Sequence, residues 1–166
     1  MITVRSIAVL SALAAIALSG CGSSGSSGSS GKGSTTIVGG ADPKSVEVIK
    51  NWADELRAGD VAAASERFAV PSVVQNGTPA LRLTSRGQVE AFNRSLPCGA
   101  RLTAAVPTGR FTVATFVLTE RPGPGECGNG VGEQAKTAFV IRDGLITQWR
   151  RVVDTGPPPS GTGPVV

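Results

Sequence analysis

Glycine and serine make up most of residues 22–41, where the run GSSGSSGSSGKGS stands. A segment of this composition cannot bury enough apolar surface to offset the entropy lost on ordering, so it predicts a flexible tether. Chain statistics give it a root-mean-square reach of roughly 25 Å. Residues 155–166 are rich in glycine and proline and predict a disordered tail. The part left to fold, residues 42–154, is long enough for one domain with a small core.

Residues 1–20 have the layout of a secretory signal peptide. Arg5 gives a positive start, and the uncharged residues 7–18 form an apolar run. This run is shorter than the roughly 20 residues that a membrane span needs. The sequence LSGC, which ends at Cys21, resembles the bacterial lipobox, in which an aliphatic residue and two small residues precede a cysteine.

The lipobox resemblance implies that a diacylglycerol is joined to Sγ of Cys21 through a thioether, and that cleavage makes Cys21 the new N-terminus. Two or more acyl chains hold a protein stably at a membrane, because each buried CH₂ contributes about 0.8 kcal/mol. We therefore expect a lipoprotein on the extracytoplasmic face of the cell membrane, with its domain carried on residues 21–41. An ordinary secretory signal followed by a chance cysteine is the alternative.

Two of the three cysteines, Cys98 and Cys127, lie inside the domain. Export places them in an oxidising compartment, where an even number of cysteines usually pairs. We predict a Cys98–Cys127 disulfide that stabilises the fold by about 3–4 kcal/mol. A redox pair or a metal-binding pair is the alternative, although the chain has no C-x-x-C motif and no histidine to support either.

The composition excludes several kinds of site. The sequence contains neither histidine nor tyrosine, which removes the commonest general base near neutral pH and the commonest metal ligand. The net charge of +4 is mild and scattered, and aromatic residues are only 4% of the chain, so nucleic-acid binding is not expected. We expect no metal and no cofactor.

The first part of the domain predicts helices. Asp42, followed by proline, is a helix-start signal, and Ser45 is a rival cap. The apolar residues at helical spacing are Val46, Ile49, Trp52 or Ala53, and Leu56. A second helix is expected in the segment DVAAASERFA, residues 60–69, with Asp60 as its cap, Phe68 on its buried side and Pro71 as its stop.

A small hairpin, a third helix and a run of strands complete the pattern. The hairpin turns at Asn76-Gly77, and Ser85 caps a helix lined by Val89, Phe92 and Leu96. Three or four long strands follow, the last two joined by an Asp143-Gly144 turn. Helices placed before such a run predict an α+β fold, with a strongly curved antiparallel sheet folded over the helices.

The segments GDVAAASERFA, TSRGQVEAF and IRDGLITQWRRV, in this order, resemble the nuclear-transport-factor-two-like (NTF2-like), or SnoaL-like, superfamily over residues 46–154. The resemblance implies a cone, in which a bent sheet wraps a long helix and leaves a pocket at its wide end. The superfamily includes isomerases, dehydratases, cyclases, epoxide hydrolases and members without known catalysis. The fold alone therefore does not assign a reaction.

The pocket expected from this resemblance is apolar. Its candidate lining residues are Trp52, Phe92, Phe116, Trp149 and Arg150. Only one of Arg150 and Arg151 can face inward, because neighbours on a strand point to opposite sides of a sheet. The alternative is that the aromatic residues belong simply to the core and that both arginines are solvated.

No catalytic residue is nominated. The predicted strand interiors contain no Asp or Glu, and Asp54, Glu55 and Glu90 fall on helices, where solvated positions are expected. The ketosteroid isomerase arrangement, an Asp base with a Tyr and a protonated Asp, also has no tyrosine to match it here.

The favoured hypothesis is a domain that binds a small lipophilic or anionic ligand, or a protein partner, without catalysis. The protein partner could be a second copy of the chain, which would make a homodimer. The alternative is an isomerase, dehydratase or hydrolase acting on a small lipophilic substrate, which would need a carboxylate such as Asp54 or Glu90 inside the pocket. A structural spacer without any ligand is a third hypothesis.

Overall fold

The computed structural model describes residues 40–77 and 79–153. The signal peptide, Cys21, the tether, Asp154 and the C-terminal tail lie outside the described residues. The helices are α1 (Pro43–Arg57), α2 (Val61–Glu66) and α3 (Arg86–Ser95). The strands are β1 (Phe68–Gln75), β2 (Leu81–Leu83), β3 (Gly99–Thr108), β4 (Phe111–Thr119), β5 (Gln134–Arg142) and β6 (Leu145–Val152), and a single 3₁₀ turn covers Gly128–Gly130.

Helix α1 begins as the sequence predicts. The Asp42 carboxylate accepts hydrogen bonds from the backbone N–H of Ser45 (2.9 Å) and from its hydroxyl (2.8 Å), so Asp42 is the cap and Ser45 its donor. The apolar residues predicted at helical spacing are all buried, and both Trp52 and Ala53 are among them. Asp42 and Ser45 border the β5–β6 turn at Asp143, which places the start of α1 at that end of the sheet.

Helix α2 is shorter than predicted. It ends at Glu66, and Phe68 opens strand β1 instead of extending the helix. The backbone N–H of Ile146 donates to the carbonyl of Arg67 (2.8 Å), so pairing with β6 ends the helix and draws the chain into the sheet. Pro71 lies within β1, in the stretch between Phe68 and Val73 where the pairing with β6 is interrupted, and a missing N–H is tolerated there.

One six-stranded sheet carries the domain, with the order β2-β1-β6-β5-β4-β3. The α+β class and the curved sheet over the helices are confirmed. All adjacent pairs are antiparallel except β1–β6, which is parallel, a detail that the predicted antiparallel sheet did not contain. The small hairpin, β1 and β2, therefore extends the same sheet, because β1 pairs with β6.

Two threonines form β-bulges in the sheet. Thr147 of β6 has no partner on β5, because Val140 pairs with Gln148 and Ile141 pairs with Ile146. Thr103 of β3 is skipped in the same way. Each hydroxyl donates to a carbonyl of the facing strand, Thr103 to Thr115 and Thr147 to Val140, both at 3.0 Å. Each bulge shifts by one residue which side chains face the helices.

Trp52 lies at the centre of the core. Its ring makes edge contacts, at centroid distances of 5.5 to 6.4 Å, with Phe68, Phe116, Phe139 and Trp149. Its indole N–H donates to Oδ1 of the fully buried Asn93 (2.9 Å). The Asn93 amide in turn donates to Ser65 Oγ (3.2 Å) and to the Val89 carbonyl (3.0 Å), so this polar group is satisfied inside the core.

Candidate functional site

A cavity of about 290 Å³ lies between the helices and the sheet, at the end opposite the β5–β6 turn. Its walls come from the second half of α1, the α3–β3 connection, the starts of β3 and β5, and the ends of β4 and β6. The apolar side chains among them are Trp52, Leu56, Leu96, Pro97, Ala100, Phe116, Leu118, Ala135 and Trp149. A volume near the lower end of ligand sites suits a small molecule.

Three polar side chains complete the lining, Asn76 after β1, Thr137 on β5 and Arg151 on β6. Thr137 and Arg151 are direct partners across the two strands. Arg151 forms no ion pair with another described residue, so its positive charge is available at the edge of the apolar walls. Such a cation can fix the orientation of an anionic group on a ligand.

Of the two arginines between which strand alternation leaves the choice open, Arg151 lines the cavity, and Arg150, one of the predicted lining residues, does not. The bulge at Thr147 lets both Ile146 and Trp149 face the core although they are three residues apart, and Arg151 then follows Trp149 on the inner face. Arg150 is on the opposite face, where its guanidinium carbon lies 5.8 Å from the centroid of the Phe111 ring. No sequence signal located the bulge, so strand alternation alone could not choose between the two.

The aromatic candidates divide into two groups. Trp52, Phe116 and Trp149 border the cavity. Phe92 does not line it and lies instead between Phe68 and Trp149, with centroid distances of 6.1 and 5.1 Å. Phe92 therefore supports the cavity wall from behind, because it packs against Trp149.

The predicted Cys98–Cys127 disulfide is present in the structure. Cys98 and Gly130 both border the cavity, so the bridge fixes part of its wall. A Cβ at Gly130 would stand 3.1 Å from Cys127 Sγ and 3.5 Å from Cys98 Sγ, and this close approach explains glycine at that position. The bridge also holds the glycine- and proline-rich β4–β5 loop against the start of β3.

No carboxylate among the described residues lines the cavity. Asp54 faces outward and pairs with Lys50 (2.7 Å) and Arg57 (3.0 Å). Partial burial acts to raise the pKa of Asp54, but these two hydrogen-bonded cations outweigh it and hold that pKa below its ordinary value of 3.8. Glu55 pairs with Arg67, and Glu90 of α3 is not part of the lining.

Residues 40–77 and 79–153 contain no cluster of three metal-ligating side chains. Within the same ranges, none of the helices is both long and apolar enough to cross a bilayer.

No family model matches the sequence, and no curated protein does. Solved structures do resemble the fold. An NTF2-like protein of unknown function from Cytophaga hutchinsonii aligns with TM-score 0.51 and 11% identity over 66% of this chain and 88% of that one. A de novo designed protein with a curved β-sheet aligns with TM-score 0.54 and 16% identity, over 69% and 88%.

A third solved structure is that of a hypothetical protein with a ketosteroid isomerase-like fold from Catenulispora acidiphila. It aligns with TM-score 0.47 and 15% identity over 66% of this chain and 86% of that one. The fold assignment rests on the two structures above, with TM-scores of 0.51 and 0.54, and at identities this low their likeness extends to the fold alone. The described domain has the NTF2-like cone fold.

Proposed function

We propose that this domain binds a small, mainly apolar molecule bearing an anionic group, and that it does so without catalysis. The observation that carries the proposal is the cavity of about 290 Å³, whose walls are apolar and whose edge holds Arg151, which forms no ion pair within residues 40–77 and 79–153. The ligand's apolar body would replace water along Trp52, Phe116 and Trp149. Its anionic group would meet the guanidinium of Arg151 and the hydroxyl of Thr137.

The cavity offers a direct optical readout. Trp52 and Trp149 are the two tryptophans of the chain, which has no tyrosine, and both border the cavity. Intrinsic fluorescence therefore reports on the site itself. Octanoate and octanol serve as probes, because they share an apolar body and differ in the charged group. We expect octanoate to bind about three- to tenfold more tightly than octanol, a difference of up to about 1.4 kcal/mol.

Arg151→Gln is expected to remove this preference and to leave octanol binding unchanged. Arg150→Gln is the matched control, since it removes the same charge from the adjacent residue on the opposite face. Titration of both variants and the parent chain with both probes, followed by tryptophan fluorescence, measures the effect. Equal binding of octanoate and octanol by the parent, or loss of the preference in Arg150→Gln alone, would contradict the proposal.

We also propose that the chain is a lipoprotein held on the extracytoplasmic face of the cell membrane through Cys21. The support is the sequence LSGC, the apolar run before it and the Gly/Ser-rich residues 22–41 after it. Cys21→Ser is expected to move the protein from the membrane fraction to the soluble fraction. Ser23→Ala, two residues further along, is the control and should remain with membranes. Mass spectrometry of the mature protein should find residue 21 first, with added acyl mass.

A further inference from the structure

The sheet has an outer face that points away from the helices, and strand register identifies its residues. Ala114, Phe139 and Trp149 belong to the core, so their neighbours along each strand face outward. Val113 pairs with Ala138, and Ala138 pairs with Arg150, which gives one row of outward side chains across three strands. Helix α1 contacts the opposite side, and none of the described helices covers this outer face.

The charged residues that the structure places on this outer face are all positive. Outward positions hold Arg82 of β2, Arg101 of β3, Lys136 of β5 and Arg150 of β6. Arg110, in the β3–β4 turn, borders them. None of the six strands contains an Asp or Glu. The acidic residues that the structure describes lie on the helices, turns and loops, together with further basic residues, so the strands themselves carry only positive charges.

Apolar side chains lie between these cations. Val106 is 40% exposed, and Phe111, Val113 and Val152 are half-buried. The guanidinium carbons of Arg110 and Arg150 lie 5.0 and 5.8 Å from the centroid of the Phe111 ring. The face therefore combines positive charges with partly exposed apolar side chains, a combination that suits the phosphate headgroups of a bilayer and the acyl boundary beneath them.

We propose that this outer face lies against an anionic phospholipid bilayer. Charge complementarity selects this occupant over a second copy of the chain, because two such faces would oppose cation to cation. The cavity lies on the helix side of the sheet, so a domain resting on its outer face keeps the cavity in contact with water. The contact needs no acyl chain on Cys21 and is separate from the proposed anchor.

Vesicle binding tests the proposal on the full chain carrying Cys21→Ser, to which no lipid can be attached. The test variant adds Arg82→Gln and Arg101→Gln, which remove two exposed charges from the outer face. The control variant adds Lys44→Gln and Arg94→Gln, which remove two exposed charges from α1 and α3. Co-sedimentation is measured with phosphatidylcholine vesicles, with and without phosphatidylglycerol. Residues 1–20 are the same in all three chains, so their contribution cancels.

We expect the parent and control chains to bind the phosphatidylglycerol vesicles, with affinity falling as salt is raised. The test variant should bind these vesicles about 30-fold more weakly, which corresponds to about 2 kcal/mol for the two basic residues removed. Equal weakening in both variants would show a net-charge effect and overturn the proposal. Unchanged binding by the test variant would overturn it too. Two further measurements can also overturn the proposal. If the chain binds polyglutamate but not vesicles, the outer face fits an acidic protein instead of a bilayer. If the chain is a dimer in solution that buries the outer face, the face is not free to contact a bilayer.

Discussion

Replacing Trp52 with alanine is expected to lower the free energy of unfolding by about 3–5 kcal/mol, a large part of the stability of a domain this size. The indole contacts four aromatic rings, Phe68, Phe116, Phe139 and Trp149, so its loss leaves a void between α1 and the sheet. It also leaves the buried Asn93 without the donor for its Oδ1. Urea unfolding followed by far-ultraviolet circular dichroism measures the change.

Trp52→Phe separates the contribution of the aromatic contacts from that of the hydrogen bond to Asn93. Phenylalanine keeps most of the ring contacts but has no N–H, so the expected loss is about 1–3 kcal/mol from the unpaired amide oxygen of Asn93. Phe111→Ala is the control for removal of an aromatic ring outside the core, because Phe111 is half-buried on the outer face. A Trp52→Ala variant as stable as Phe111→Ala would show that the ring cluster does not hold the domain together.

The double variant Cys98→Ser/Cys127→Ser is expected to be about 3–4 kcal/mol less stable than the parent. The bridge closes a loop across a sequence separation of 29, and a loop of that size loses this much unfolded-state entropy in the chain-entropy model. The same change should reduce octanoate binding, because Cys98 and Gly130 would no longer be held at the cavity. Thermal unfolding and fluorescence titration measure the two effects.

Cys21→Ser is the matched control for this double variant, since it makes the same chemical change at the cysteine outside the domain. It should leave the unfolding free energy where it was. Adding a reductant to the parent chain should reproduce the double variant. Unchanged stability after reduction would contradict the assignment of a stabilising role to the bridge.

Local signals in the sequence predicted most of the elements. Asp42, Asp60 and Ser85 each accept the expected N-terminal hydrogen bond, and Asp143-Gly144 makes the last turn with φ of 52° and 75°. These features depend on residues close together in the chain. The pairing of β1 with β6 depends on residues about 75 positions apart, so neither the early end of α2 nor the parallel pair could be predicted from the sequence.

The cavity was predictable only in part. Trp52, Phe116 and Trp149 could be named because large aromatic residues at periodic positions face inward. Arg151 could not be chosen over Arg150, since the choice depends on the bulge at Thr147. Asn93 was also missed, because a polar residue on α3 gave no sign of burial before its partners Trp52 and Ser65 were known.

The opposite placement of the α1 start and the cavity has a practical consequence. The chain enters the domain beside the β5–β6 turn, and the distance along α1 from there to Leu56 is about 20 Å at 1.5 Å per residue. A biotin or an affinity matrix coupled to the chain on the N-terminal side of Ala41 would therefore leave the opening of the cavity unobstructed. Immobilised in this orientation, the domain can be screened against libraries of small acids.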